Sequence, residues 1–116
     1  MTKVKLSYEG MTLNLEVTGH AERSKDEDVN LCCAGISMLV NTAIETIQRY
    51  AELDMVEEMH VLNTLGHAKL MAKAYDWTED RIVAVFDMVM AGFDLLEERY
   101  PGKIEHEYGI NNAGRN

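Results

Sequence analysis

The sequence predicts an α+β fold: a two-layer sandwich with two helices packed on one face of a mostly antiparallel sheet of about five strands. Three observations carry this expectation. Strict two-residue alternation opens the chain, running from Val4 to Val17. Two long stretches then step by three and four residues, Val29 to Tyr50 and Ile82 to Tyr100. Alternating runs lie between and after them, giving the order strand, strand, helix, strand, strand, helix, strand.

The first two strands are the clearest. Val4, Leu6 and Tyr8 alternate with Lys3, Lys5 and Ser7. Glu9-Gly10 makes a turn, and Met11, Leu13, Leu15 and Val17 then alternate with Thr12, Asn14, Glu16 and Thr18. Gly19 to Asp28 is charged and reads as an exposed loop. From about Val29, the residues Cys32, Ile36, Leu39, Ala43, Ile47 and Tyr50, broadened by Val40 and Ile44, form an apolar helical stripe. Asp28 or Asn30 is expected to cap it. Met55–Leu62 and Gly66–Tyr75 are expected strands, with Leu70, Ala72 and Ala74 on one face of the second. Asp76 with Glu79 suggests a capping box before the second helix, and Pro101-Gly102 ends that helix. Ile104, His106 and Tyr108 form a last short strand. Residues 1–110 are expected to make one domain, followed by a loose polar tail at 111–116.

Eleven basic against twenty acidic residues give a net charge of −9. That balance argues against nucleic acid, whose phosphates need a basic surface, and favours a basic partner. The longest nearly apolar run, Leu31 to Val40, falls short of the roughly 18 residues a membrane span needs. No apolar signal core precedes the first strand. The expected location is cytoplasmic, with no membrane and no nucleic acid.

The chemistry concentrates at two adjacent cysteines. About 100° separates neighbours on a helix. Cys32 falls on the apolar stripe, while Cys33 joins Asn30, Ser37 and Asn41 on a polar ridge. A helix beginning near Val29 puts Cys33 in its first turn, where free backbone N–H groups stabilise negative charge and offer part of an oxyanion hole. A more acidic thiolate is also a weaker nucleophile, so easier ionisation alone adds little. Positioning and oxyanion stabilisation must supply the rest. The nucleophile needs a base. Of the four histidines, His20 at the end of the second strand is favoured, with the charged loop between it and Cys33.

The segment Gly19-His20-Ala21, the charged loop, then Leu31-Cys32-Cys33-Ala34-Gly35-Ile36-Ser37 resembles the Prp family of bacterial ribosomal-processing cysteine proteases. Leu95 to Ile104 resembles that family's closing helix and strand. The resemblance implies Cys33 as nucleophile and His20 as base and then acid, with Ser37 on the family's serine. It also implies a loop that closes over the substrate, here carrying Glu22, Asp26, Glu27 and Asp28. The family's aspartate before the cysteine is Asn30 in this chain, a supporting residue able to orient an imidazole or to cap the helix. The implied substrate is a short N-terminal extension of a large-subunit ribosomal protein, a peptide segment of a basic precursor. The implied assembly is a homodimer, without cofactor or metal.

Three alternatives stay open at this stage. One is a binding or assembly module that keeps the fold without the chemistry. Another is a zinc site of His20, Cys32 and Cys33, disfavoured because adjacent helical cysteines diverge. The third is the same protease acting on a phage or mobile-element structural precursor.

Overall fold

The structure is a computed structural model that describes residues 1–19 and 24–110, the last three by backbone alone. His20, Glu22 and the expected tail at 111–116 lie outside the described residues. The elements are β1 (Thr2–Glu9), β2 (Thr12–Thr18), α1 (Glu27–Glu52), β3 (Val56–Thr64), β4 (His67–Ala74), α2 (Glu79–Arg99) and β5 (Ile104–Ile110). They form one five-stranded sheet in the order β3-β4-β2-β1-β5. All neighbours run antiparallel except β1 and β5. The expected α+β arrangement is the one observed.

The alternation of β1 and β2 decides which face is covered. Val4, Leu6 and Tyr8 lie opposite Val17, Leu15 and Leu13, and all six are buried. On β4, Ala68, Leu70, Ala72 and Ala74 continue that buried face. Lys3, Lys5, Lys69 and Lys73 emerge on the other, open face, where Lys73 pairs with Glu57 (3.3 Å) and His67 with Glu16 (2.7 Å). Gly10 and Gly66 sit at φ 61° and 83°, the left-handed conformation that the two hairpin turns require.

Both helices lie on the covered face. From α1, Cys32, Ile36, Val40, Ala43 and Ile47 are buried; from α2, Ile82, Val85, Phe86, Val89, Met90 and Phe93 are. By length and hydropathy α1 could cross a membrane, but its buried stripe packs into this core. The helices approach closely through reciprocal leucine–glycine contacts. A Cβ on Gly35 would lie 2.7 Å from Leu96 Cδ2, and one on Gly92 2.5 Å from Leu39 Cδ2. Only the absence of a side chain allows each leucine to seat there. His106 of β5 faces α2 and reaches Asp94 at 3.3 Å.

Several expectations shift at element ends. Helix α1 begins at Glu27, two residues before Val29, and its cap is Asp26, whose side chain accepts from Asp28 N–H at 2.9 Å. Asp28 and Asn30 are therefore helical residues, not the cap. Asp76 is not the cap: α2 starts at Glu79 with Thr78 in the cap position. Thr78 instead turns its hydroxyl back to Tyr75, accepting from Tyr75 N–H at 3.0 Å. Strand β3 reaches Thr64, beyond the expected Leu62. It is an edge strand that the helices cover only in part; Val56 is buried, while Val61 is 44% exposed on the helix face.

The core predicts a sharp contrast between two positions on α2. Phe93→Ala should cost about 3–5 kcal/mol, because Phe93 is fully buried in the core. Met88→Ala, at a position 63% exposed, should stay within about 0.5 kcal/mol of the parent. Urea unfolding of the two variants measures the difference.

Candidate active site

The start of α1 is held by a compact set of polar contacts. Asn30 folds its carboxamide back onto Ser24, accepting from Ser24 N–H at 2.9 Å and donating to Ser24 C=O at 2.8 Å. Ser24 Oγ in turn accepts from Asp26 N–H at 3.0 Å. Asp26 caps the helix with one carboxylate oxygen and faces Lys103 Nζ with the other at 3.6 Å. Thr2 N–H donates to Lys103 C=O at 3.0 Å, which ties this corner to the start of β1. Asn30 therefore acts on the loop backbone: both ends of its amide are engaged by Ser24, and it is not the cap.

These contacts redistribute the acidic loop residues. Asp26 is the cap, and Glu27 and Asp28 form the first helical turn, where negative charge suits the helix dipole. Of the residues expected in a closing loop, these three belong to the helix start, and Glu22 lies outside the described residues.

The early helix start also moves Cys33 along the helix. With Glu27 as the first helical residue, Cys33 is in the second turn and its N–H is committed to the helical ladder. The dipole effect fades within the first turn. The expectation that free helix N–H groups flank Cys33 is therefore corrected: the terminus is a full turn away.

The two thiols differ as the stripe requires. Cys32 is 1% exposed in the core, whereas Cys33 is partly exposed, and both are free. Burial pushes the Cys32 thiol above its ordinary pKa; Cys33 and Glu97 add to the rise, and Lys103 opposes it. A raised pKa keeps Cys32 protonated and unreactive at neutral pH.

Cys33 stands where two hollows meet. The larger, of about 160 Å³, is lined by Cys33, Ser37 and Asn41 of α1, Gly19 after β2, and the β3–β4 turn from Asn63 to His67. Ile36, Val40, Val17 and Ala68 supply its apolar part. The smaller, of about 140 Å³, is lined by Met1, Thr2, Ser24, Val29, Lys103 and both cysteines. An extended chain crossing Cys33 would thus have a depression on each side. Gly19 forms the rim nearest residue 20. Its N–H donates to Gly66 C=O at 3.1 Å, and a Cβ there would lie 2.8 Å from Thr2 Cα, a backbone atom that cannot step aside. That close approach is the physical reason for a glycine just before His20.

The other histidines are engaged elsewhere. His60 meets Glu58 at 2.7 Å, and His67, though it lines the larger hollow, meets Glu16 at 2.7 Å. His106 faces Asp94. Among the described residues no cluster of three His, Cys, Asp or Glu could hold a metal ion.

The family model for cysteine protease Prp matches residues 1–105. The chain belongs to this family. The match includes the glycine rim at Gly19, the partly exposed Cys33 and Ser37. Several solved structures share the fold at low identity. The SMU.848 protein of Streptococcus mutans has a TM-score of 0.69 at 18% identity, with 95% of each chain covered. The essential ribosomal processing protease Prp from Staphylococcus aureus, in complex with a substrate peptide, has a TM-score of 0.68 at 16% identity, covering 93% of this chain and 99% of that one. The same protease with a covalently linked product peptide has a TM-score of 0.63 at 17% identity. No curated protein sequence matches this chain.

Sequence reasoning placed Asn41 on the ridge but gave it no role, and it missed Asn63, Thr64 and Lys103. Gly66, expected to open a strand, instead takes the left-handed φ of the β3–β4 turn, and β4 begins at His67.

The site predicts unequal thiols. At pH 7, an iodoacetamide probe should label Cys33 and leave Cys32 unmodified in the folded protein. In Cys33→Ala, labelling of Cys32 should rise only above the ordinary thiol range, because burial raises its pKa and delays thiolate formation. Peptide mapping by mass spectrometry reads both.

Proposed function

We propose that this chain is a Cys–His endopeptidase that removes a short N-terminal extension from a basic large-subunit ribosomal protein precursor. The observation that carries the reading is the placement of Cys33: partly exposed, between two hollows, on the polar face of a helix whose neighbouring cysteine is buried.

In this reading an extended peptide lies across Cys33. His20 takes the thiol proton, and the thiolate attacks the scissile carbonyl carbon. The tetrahedral oxyanion is held by donors other than the helix terminus; the hydroxyl of Ser37, one turn on from Cys33 along the same ridge, is one such group. The intermediate collapses to a thioester as His20 protonates the leaving amine. Water, deprotonated by His20, then hydrolyses the thioester and frees the enzyme. Support for His20 comes from its neighbour in sequence Gly19, which lines the Cys33 hollow, and from the carboxylate partners that engage the other three histidines.

The net charge of −9 suits a basic precursor by favouring encounter. Two free cysteines suit a reducing compartment such as the cytosol. Homodimer pairing belongs to the same reading. Met38 and Leu95, both about two-thirds exposed, border an apolar groove on the outer helix face that a second copy would cover.

The test is cleavage of the extended ribosomal precursor from the same genome, read by the mass of the new N-terminus. The parent chain should trim it, and Cys33→Ala and His20→Ala should not, although Cys33→Ala stays folded. A parent chain that cleaves other peptides but leaves this precursor intact would contradict the ribosomal substrate.

A further inference from the structure

At the far end of α1 from Cys33, an aromatic pair stands in water. Trp77 is 71% exposed, unusual for so large an apolar ring. It stacks on Tyr75, with ring centroids 6.0 Å apart and planes 10° from parallel. The turn that carries both rings is clamped. Tyr75 N–H donates to the buried Thr78 hydroxyl at 3.0 Å, and Thr78 N–H donates to Tyr75 C=O at 3.1 Å. The Tyr75 hydroxyl donates to Asp54 Oδ1 at 2.9 Å, just past the end of α1. The platform is thus held by the backbone at one side and by Asp54 at the other.

Its surroundings are acidic. Residues 52–57 and 75–81 carry six carboxylates and one base, Arg81. Of the six, Glu57 is paired with Lys73 at 3.3 Å. The Tyr75 hydroxyl is pushed above its ordinary pKa, first by its hydrogen bond to Asp54, then by desolvation and by the charges of Asp54 and Glu57. The negative field therefore reaches the rings.

We propose that the Tyr75–Trp77 stack and Asp54 form an exosite that holds an arginine of the substrate protein, remote from the bond that is cut. The inference rests on the protease reading above. An aromatic face attracts a cation, and an indole does so most strongly. A guanidinium is planar and weakly hydrated, so it lies on an indole more readily than an ammonium does. The bond from Tyr75 uses only part of the accepting capacity of the Asp54 carboxylate. A nucleobase also stacks on aromatic rings, but its phosphates are repelled by these carboxylates.

The length of α1 sets the reach. Leu53 is twenty residues beyond Cys33, a helical rise of about 30 Å. An extended peptide advances about 3.3 Å per residue, so about nine residues would be needed to span that distance. A peptide with four residues on each side of the cut ends short of the stack, whereas a whole precursor protein can touch both places. Contacts in water are modest, so loss of the exosite should raise KM for the precursor roughly 5- to 10-fold.

Trp77 is the chain's only tryptophan, so its emission reads the site directly. The full chain carrying Cys33→Ala is titrated with acetyl-Gly-Arg-Gly-Arg-Gly-amide and with the same peptide carrying citrulline, the neutral isostere, in place of arginine. The arginine peptide should change the emission and bind roughly 5- to 10-fold more tightly than the citrulline peptide. Asp54→Asn should remove that difference. It keeps an acceptor for Tyr75, and asparagine tolerates the left-handed φ of 55° at this position, so the variant should melt like the parent. With Cys33 intact, Trp77→Leu should raise KM for the precursor at unchanged kcat and leave cleavage of the eight-residue peptide as it was. Equal response to arginine and citrulline, or a Trp77→Leu effect on both substrates alike, overturns the exosite and leaves the protease reading standing. No cleavage of either substrate beyond the Cys33→Ala control overturns the protease reading, and with it the exosite's role toward a substrate, even where the arginine peptide binds.

Discussion

The rotation of α1 about its own axis is the constraint on which the site depends. Cys32, Ile36, Val40, Ala43 and Ile47 are buried against the sheet, and Leu39 and Leu96 lock the helix to α2 over Gly92 and Gly35. Once those contacts are made, the helix cannot turn without exposing its stripe. Cys33, about 100° round from Cys32, is then obliged to face the groove. The same rotation puts Ser37 and Asn41 beside it. Two chemically identical side chains acquire opposite fates: one thiol is desolvated and held protonated, and the other is presented to solvent and to any peptide in the groove.

A second constraint comes from the sheet. β1 and β2 pair in a register that brings Gly19 over Thr2, so closely that a side chain at that position would collide with backbone. The chain therefore leaves the sheet at the rim of the Cys33 hollow. From residue 24 on, Ser24 is clasped by Asn30 and Asp26 is tied to Lys103. Gly19 and Ser24, on either side of residues 20–23, are thus each held by hydrogen bonds, and each lines a hollow that Cys33 shares.

Much of this was legible in the residues. The alternation of Val4 to Val17 gave the first hairpin and its buried face, and the three-and-four stepping gave both helices and separated Cys32 from Cys33. The ends of elements were less legible, because they depend on which side chain a backbone N–H finds. Asp26 outcompeted Asp28 and Asn30 for the cap, since Asn30 finds both its partners in Ser24. That shift of two residues takes Cys33 out of the first turn and removes the helix terminus from its chemistry. Strand β3 reads poorly for a different reason: as a partly covered edge it has no strict inward and outward sides for the pattern to record. The Asn41–Asn63 link joins residues 22 apart, and no periodicity announces a contact of that kind.

The proposed role of Cys33 as the nucleophile, set by the orientation of α1, is tested by trapping the covalent intermediate. A cleavable peptide is mixed with the full chain, the reaction is quenched in acid within a turnover, and the enzyme is digested and mapped by mass spectrometry. The expected product is a thioester to the N-terminal fragment of the peptide on Cys33, with Cys32 unmodified. A thioester on Cys32, or steady cleavage in a Cys33→Ala variant, would contradict that role.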